Sequence, residues 1–203
     1  MKLKILTRLI LTLVFTINSI LSFAQLPYFQ SFKDATASNI VFGGAPTAIL
    51  TASPSAGIDL PGSGYLRLTS SAFNQKGYIY STDNLTTSQG LSISFEYFTY
   101  GGTGADGICF FLFDATANPF NIGGFGGSLG YAQFNLTNPV SPGVSKGYLG
   151  VAIDEFGNFP NPREGRQGGI IGPGLFGIST KSVVLRGKGD GAAETPDNYR
   201  YLT

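Results

Sequence analysis

Three loop segments carry the side chains from which chemistry can be built. Asp106 sits in Ala105-Asp106-Gly107, directly ahead of an apolar run, so a buried strand pins a carboxylate that points out of a loop end. Gly123–Gly130 reads GGFGGSLG, and glycines of this kind let backbone N–H groups come close to a ligand. In Asp154-Glu155-Phe156-Gly157-Asn158, Asp154 and Asn158 stand four apart across a turn and can both offer oxygens to a hard cation such as calcium. Each segment also has a plainer use. Asp106 could hold a turn through its side chain, Gly126 and Gly127 could be turn formers, and Asp154 with Asn158 could make an Asx-type turn.

Composition removes many other chemistries. The chain has no histidine, which excludes the usual Ser-His-Asp triad and His-ligated zinc. Cys109 is the single cysteine, so no internal disulfide framework exists, and its apolar setting (Ile108–Phe113) predicts a buried, inert thiol. The glycine loop does not fit GxGxxG, and Gly187-Lys188 lacks the Ser or Thr of a P-loop, which argues against phosphate binding. Residues 1–24 read as a signal peptide: Lys2, Lys4 and Arg8, then the apolar run Leu9–Phe23, then Ser22-Phe23-Ala24 before Gln25. The expected location is therefore secreted or cell-surface, with no membrane insertion once that segment is removed. Beyond residue 24, 10 Lys and Arg face 12 Asp and Glu, a net charge of −2 without any basic run. Nucleic acid is not an expected partner.

The elements that position these loops read as β-structure. The chain has 29 glycines, 17 phenylalanines and 10 tyrosines, with 12% charged residues, which suggests an all-β domain rich in tight turns. Leu91–Tyr97 alternates apolar and polar residues, as do Tyr65–Thr69 and Ser182–Arg186, so all three are predicted strands. Ile108–Phe113 and Tyr148–Ile153 are apolar on both faces and are predicted central strands. Loops are predicted at Gly101–Gly104, Ile122–Gly130 and Asn158–Gly174. Residues 25–203 show no linker or repeat and are read as one domain.

The ordered segments "GADGICFFLFDATANPF", "GGFGGSLGYAQF" and "GYLGVAIDEFGN" resemble the consecutive core motifs of legume-type (L-type) lectins, most clearly over Phe95–Arg186. "DEFGNF" and "LRGKGDG" are closer to the bacterial lectin-like adhesin branch than to seed lectins. The resemblance implies a concanavalin-like antiparallel β-sandwich (jelly roll), incomplete at its C-terminus because the last strands have no counterpart. It also implies a carbohydrate site. Asp106 would accept hydrogen bonds from two sugar hydroxyls, a backbone N–H of Gly126 or Gly127 and the amide of Asn158 would donate, and Phe156 would stack on the pyranose. Calcium would be held by Asp154, Asn158 and the carbonyl of Phe156. The Ala105–Asp106 peptide would be cis.

The chain departs from the family at the metals. Ala152 stands where the transition-metal site has a glutamate, and the histidine of that site is missing, so that site is expected to be absent. Arg163-Glu164 replaces a second calcium aspartate, with Glu164 as a substitute ligand. The function expected is a non-enzymatic, calcium-assisted lectin or adhesin domain that binds glycans or polysaccharide. The alternative is a structural or protein-binding adhesion module on the same sandwich. A glycoside hydrolase is disfavoured. It needs two carboxylates about 5–9.5 Å apart on one side of the substrate, whereas Asp154 and Glu155 are adjacent at a strand end and point to opposite faces.

Overall fold

The computed structural model describes residues 28–203 apart from 86, 88, 89, 193 and 194. The expected signal peptide lies outside the described residues. The chain divides into two compact units, Met1–Ser31 and Phe32–Thr203, and every element below belongs to the second. Among its described residues the regular structure is all-β apart from two single 3-10 turns, η1 (Gly126–Ser128) and η2 (Leu175–Gly177). Among the described residues no helix is long and apolar enough to cross a membrane.

Among the described residues three antiparallel sheets form. β1 (Ile40–Ala45) pairs with β4 (Lys76–Ser81), and the short β2 (Ile49–Leu50) pairs with β3 (Leu66–Arg67). The third sheet has the order β5 (Gly107–Phe113), β6 (Gly147–Asp154), β7 (Ser182–Arg186). The two apolar runs thus become β5 and β6, each within a residue of its predicted limits. Register places Cys109 opposite Ala152 and Ala152 opposite Val184. Because alternate strand residues share a face, these three lie side by side on the face that carries the core.

That core joins Tyr131, Ala132, Val144, Ala152, Phe159, Val184 and Tyr199, with Cys109, Phe111, Phe113 and Phe120 packed against it. Burial pushes the Cys109 thiol up, and Sγ lies 3.4 Å from the Phe110 carbonyl oxygen, as expected for an inert thiol. An aromatic cluster connects the β1–β4 pair to β5. Tyr80 meets Phe113 edge-on at 5.5 Å, and Phe120 lies 4.5 Å from Tyr80 and 4.7 Å from Phe113 between ring centres. Pairs in this range add roughly 0.5–1.5 kcal/mol each beyond area burial.

Two expectations are corrected. The alternation over Leu91–Tyr97 does not produce a strand: residues 90–100 have no regular structure, and Leu91, Ile93, Phe95 and Tyr97 are exposed. Alternation decides which side chains share a face, but a strand also needs a neighbour's N–H and C=O groups, and none among the described residues pairs here. Ring contacts tie the segment down instead: Phe95 stacks on Phe110 of β5 at 6.5 Å, and Phe98 meets Tyr65 edge-on at 5.8 Å. Likewise, Tyr65–Thr69 contracts to Leu66–Arg67. β7 forms where predicted. Val183 is 66% exposed, while Val184 and Arg186 are buried.

Arg186 anchors the buried face of β7. It is fully buried, and its guanidinium donates to the carbonyls of Phe159 (3.0 and 2.7 Å), Asn161 (3.1 Å), Gln167 (2.8 Å), Gly168 (3.4 Å) and Tyr199 (2.8 Å). It also lies 5.1 Å from the centre of the Phe159 ring. A buried charge costs heavily unless its donors are met, and here the loop 159–168 wraps around it to meet them.

Candidate functional site

β5 begins at Gly107, β6 ends at Asp154, and the two are opposite in register. The Asp106 loop and the Glu155–Asn158 loop therefore leave the same end of the sheet. The main-chain carbonyl of Asp106 accepts from the amides of Glu155 (3.0 Å) and Phe156 (3.1 Å), which fastens one loop to the other. Gly107 permits this approach: it has φ +156, and a Cβ there would run into the Ile153 carbonyl. The Ala105–Asp106 peptide is cis, in agreement with the expectation.

Asp154 is wholly buried. Its Oδ1 accepts from the Gly157 amide at 2.8 Å and its Oδ2 from the Phe159 amide at 2.7 Å. The carboxylate thus closes the turn that follows it, the plainer of its two readings. Burial raises its pKa above the usual carboxylate range, the two amides pull it down, Asp106 adds to the rise, and Arg166 opposes it. Closing the turn turns Phe156 outward, 38% exposed, and Asn158 inward. The Oδ1 of Asn158 is buried without a hydrogen-bond partner.

The glycine loop reaches this turn at Gly127. A Cβ on Gly127 would lie 2.5 Å from Cγ and Nδ2 of Asn158 and 2.7 Å from Nη1 of Arg166. Backbone, amide and guanidinium therefore abut one another at a single point. Gly126 differs: nothing lies within 4 Å of its Cβ position, and its φ of +61 serves the turn. Of the two candidate glycines, the structure brings only Gly127 against Asn158.

Arg166 has a side chain with no exposed surface. Nη1 bonds Oε2 of Glu164 at 2.6 Å, Nη2 bonds Oδ1 of Asn161 at 2.7 Å, and Nε bonds the Asn161 carbonyl at 3.2 Å. Its charge also acts through space on Asp106 and Asp154. Asp106 is half-buried; burial raises its pKa first, then Glu164, while Arg166 lowers it. One guanidinium thus serves three carboxylates. Above it opens a cavity of about 480 Å³. Asn158, Glu164 and Arg166 contribute polar lining, and Leu136, Phe156, Phe176 and Ile178 form apolar walls.

Comparison of the chain with protein-family models, curated proteins and solved structures finds no match.

The residues fit the expected calcium poorly. Both oxygens of Asp154 are taken by main-chain amides, and Glu164, the substitute ligand, is bonded to Arg166. Among the described residues no three His, Cys, Asp or Glu side chains gather so as to hold a metal ion. The free oxygen of Asn158 could ligate a cation, but only beside the guanidinium that abuts the same amide.

Sequence reasoning missed Arg166, Asn161 and Arg186. A signal for Arg166 does exist: Glu164-Gly165-Arg166 places opposite charges two apart in a loop rich in Gly, Pro and Asn. Arg186 carried no such signal, because an arginine ending a strand reads as solvent-facing.

Proposed function

We propose that the protein binds a carbohydrate in the cavity beside Gly127 and Asn158, on a concanavalin-like sandwich of the legume-type lectin kind, and performs no chemistry on it. The carrying observation is Asn158, which lines a cavity together with the ring of Phe156 and whose buried Oδ1 has no hydrogen-bond partner. A buried acceptor left unsatisfied costs roughly 1–3 kcal/mol, and a ligand hydroxyl that donates to it recovers that cost. A polyol needs several directional hydrogen bonds and one flat apolar surface, and these residues offer both. Asp106, at the electrostatic edge of the same cluster, adds a carboxylate acceptor, and the main chain at Gly127 adds a close backbone approach.

Asp154 does not suit a glycosidase, since a carboxylate with both oxygens held by amides and no exposed surface cannot reach a substrate. Binding a protein on the same scaffold is the second reading, favoured by the exposed row Leu91, Ile93, Phe95 and Tyr97.

A glycan array probed with the wild type, Asp106→Asn and Asn158→Ala tests the proposal. Retention of defined glycans by the wild type, lost in both variants while their circular dichroism stays native, is the expected result. An array on which the wild type retains nothing, with or without calcium, refutes carbohydrate binding and leaves the protein-binding reading.

A further inference from the structure

We propose that Arg166 is the permanent cation of the binding loop, so that its guanidinium does the ordering expected of calcium and the loop folds without a metal. The oxygens that a cation would gather are arranged around this side chain. Glu164 Oε2 and Asn161 Oδ1 accept from it at 2.6 and 2.7 Å, the Asn161 carbonyl accepts at 3.2 Å, and the Asn158 amide abuts the same point beside Gly127. Asp106 and Asp154 share its field without contributing a bond. Asp154, the first expected metal ligand, has turned its carboxylate to the main chain.

Charge points the same way. Arg186 lies close enough for the two guanidiniums to repel, and each is buried. A dication on the free oxygen of Asn158 would join these two positive charges in a region of low dielectric, where like charges are costly. A guanidinium also has a geometric advantage here. It spreads one charge over a planar fork whose separate donors match oxygens on different sides, whereas a calcium ion requires six to eight oxygens converging on one centre.

The proposal concerns the folding of the loop and does not depend on what the cavity binds, so its test uses no sugar. Thermal unfolding of the wild type is followed in EDTA and in millimolar calcium chloride. The midpoints should agree within about 1 °C, since a ligand that does not bind cannot stabilise. A rise with calcium overturns the proposal. Arg166→Gln removes the charge and leaves the carboxylates facing one another. Its midpoint in EDTA should fall by about 6–20 °C, the range for a broken buried pair in a domain of this size, and calcium should restore part of the loss. An unchanged midpoint in EDTA overturns the proposal.

Arg166→Lys separates charge from packing, and it also serves if the glutamine variant does not fold. A lysine variant that folds and ignores calcium supports the assignment, including where calcium fails to rescue Arg166→Gln. A lysine variant that calcium stabilises, or a loss that neither calcium nor lysine repairs, reduces Arg166 to a packing role and overturns the proposal.

Discussion

Gly127→Ala separates close approach from backbone freedom at the glycine loop. Gly127 does not have a left-handed φ, so alanine meets no backbone penalty there, and whatever changes is due to the added methyl. That methyl would sit 2.5 Å from the Asn158 amide and 2.7 Å from Arg166 Nη1, distances at which something must move. Arg166 is held by three hydrogen bonds and has no exposed surface, so it is the harder of the two to displace. Asn158 should yield instead. Overpacking of this kind costs about 1–3 kcal/mol, which for a domain of this size lowers the melting midpoint by roughly 2–12 °C. A displaced Asn158 should lose its hydrogen bond to a bound glycan, worth about 0.5–1.5 kcal/mol or up to about tenfold in Kd. Calorimetric melting and titration with a retained glycan measure the two effects. Gly126→Ala is the control. With φ +61 and open space at its Cβ, it should cost about 1–2 kcal/mol of stability through the left-handed backbone and leave affinity unchanged. Equal affinity in the two variants, or a Gly127→Ala protein indistinguishable from wild type, refutes the geometry.

Asp154→Ala should destabilise by about 2–5 kcal/mol in urea unfolding, because it strands two buried amides, whereas Glu155→Ala should change little. Arg186→Met should cost at least about 3 kcal/mol by leaving the carbonyls of Phe159, Gly168 and Tyr199 without a donor, and an unchanged urea midpoint would dismiss Arg186 as an anchor. The carboxyl of Asp106 is raised in the folded state above its ordinary 3.8, so the native form holds that proton more firmly than the unfolded chain does. Its contribution to stability should therefore decline as pH rises from about 3.8 through the raised value and then level off. Asp106→Asn should remove that part of the slope, as read from unfolding midpoints across the acid range.

Much of the framework was legible because β5, β6 and β7 are continuous apolar or alternating runs bounded by glycine. The order of the loop motifs likewise located the end of the sheet where Asp106 and Asp154 meet. Three things were not legible, each for a physical reason. Leu91–Tyr97 has the pattern of a strand without a partner to pair with. The buried face of β7 is chosen by Arg186, whose burial depends on carbonyls up to 27 residues distant in sequence. The role of Asp154 depended on which donors reached it first: spacing allows a metal or a turn, and the amides of Gly157 and Phe159 took both oxygens.

The guanidinium of Arg186 holds the segment Phe159–Gly168 to β7 and to Tyr199 at once, which has a kinetic consequence. A loop that can open only by exposing that charge cannot behave as a lid. Its amides should exchange with solvent at rates close to those of the β5–β6–β7 sheet, through unfolding of the whole unit rather than local fluctuation. A ligand then meets a cavity already in its final shape, and the entropy of ordering the loop was spent during folding. Association should accordingly be a single fast step without a gating phase, and differences among ligands should lie in how slowly they leave.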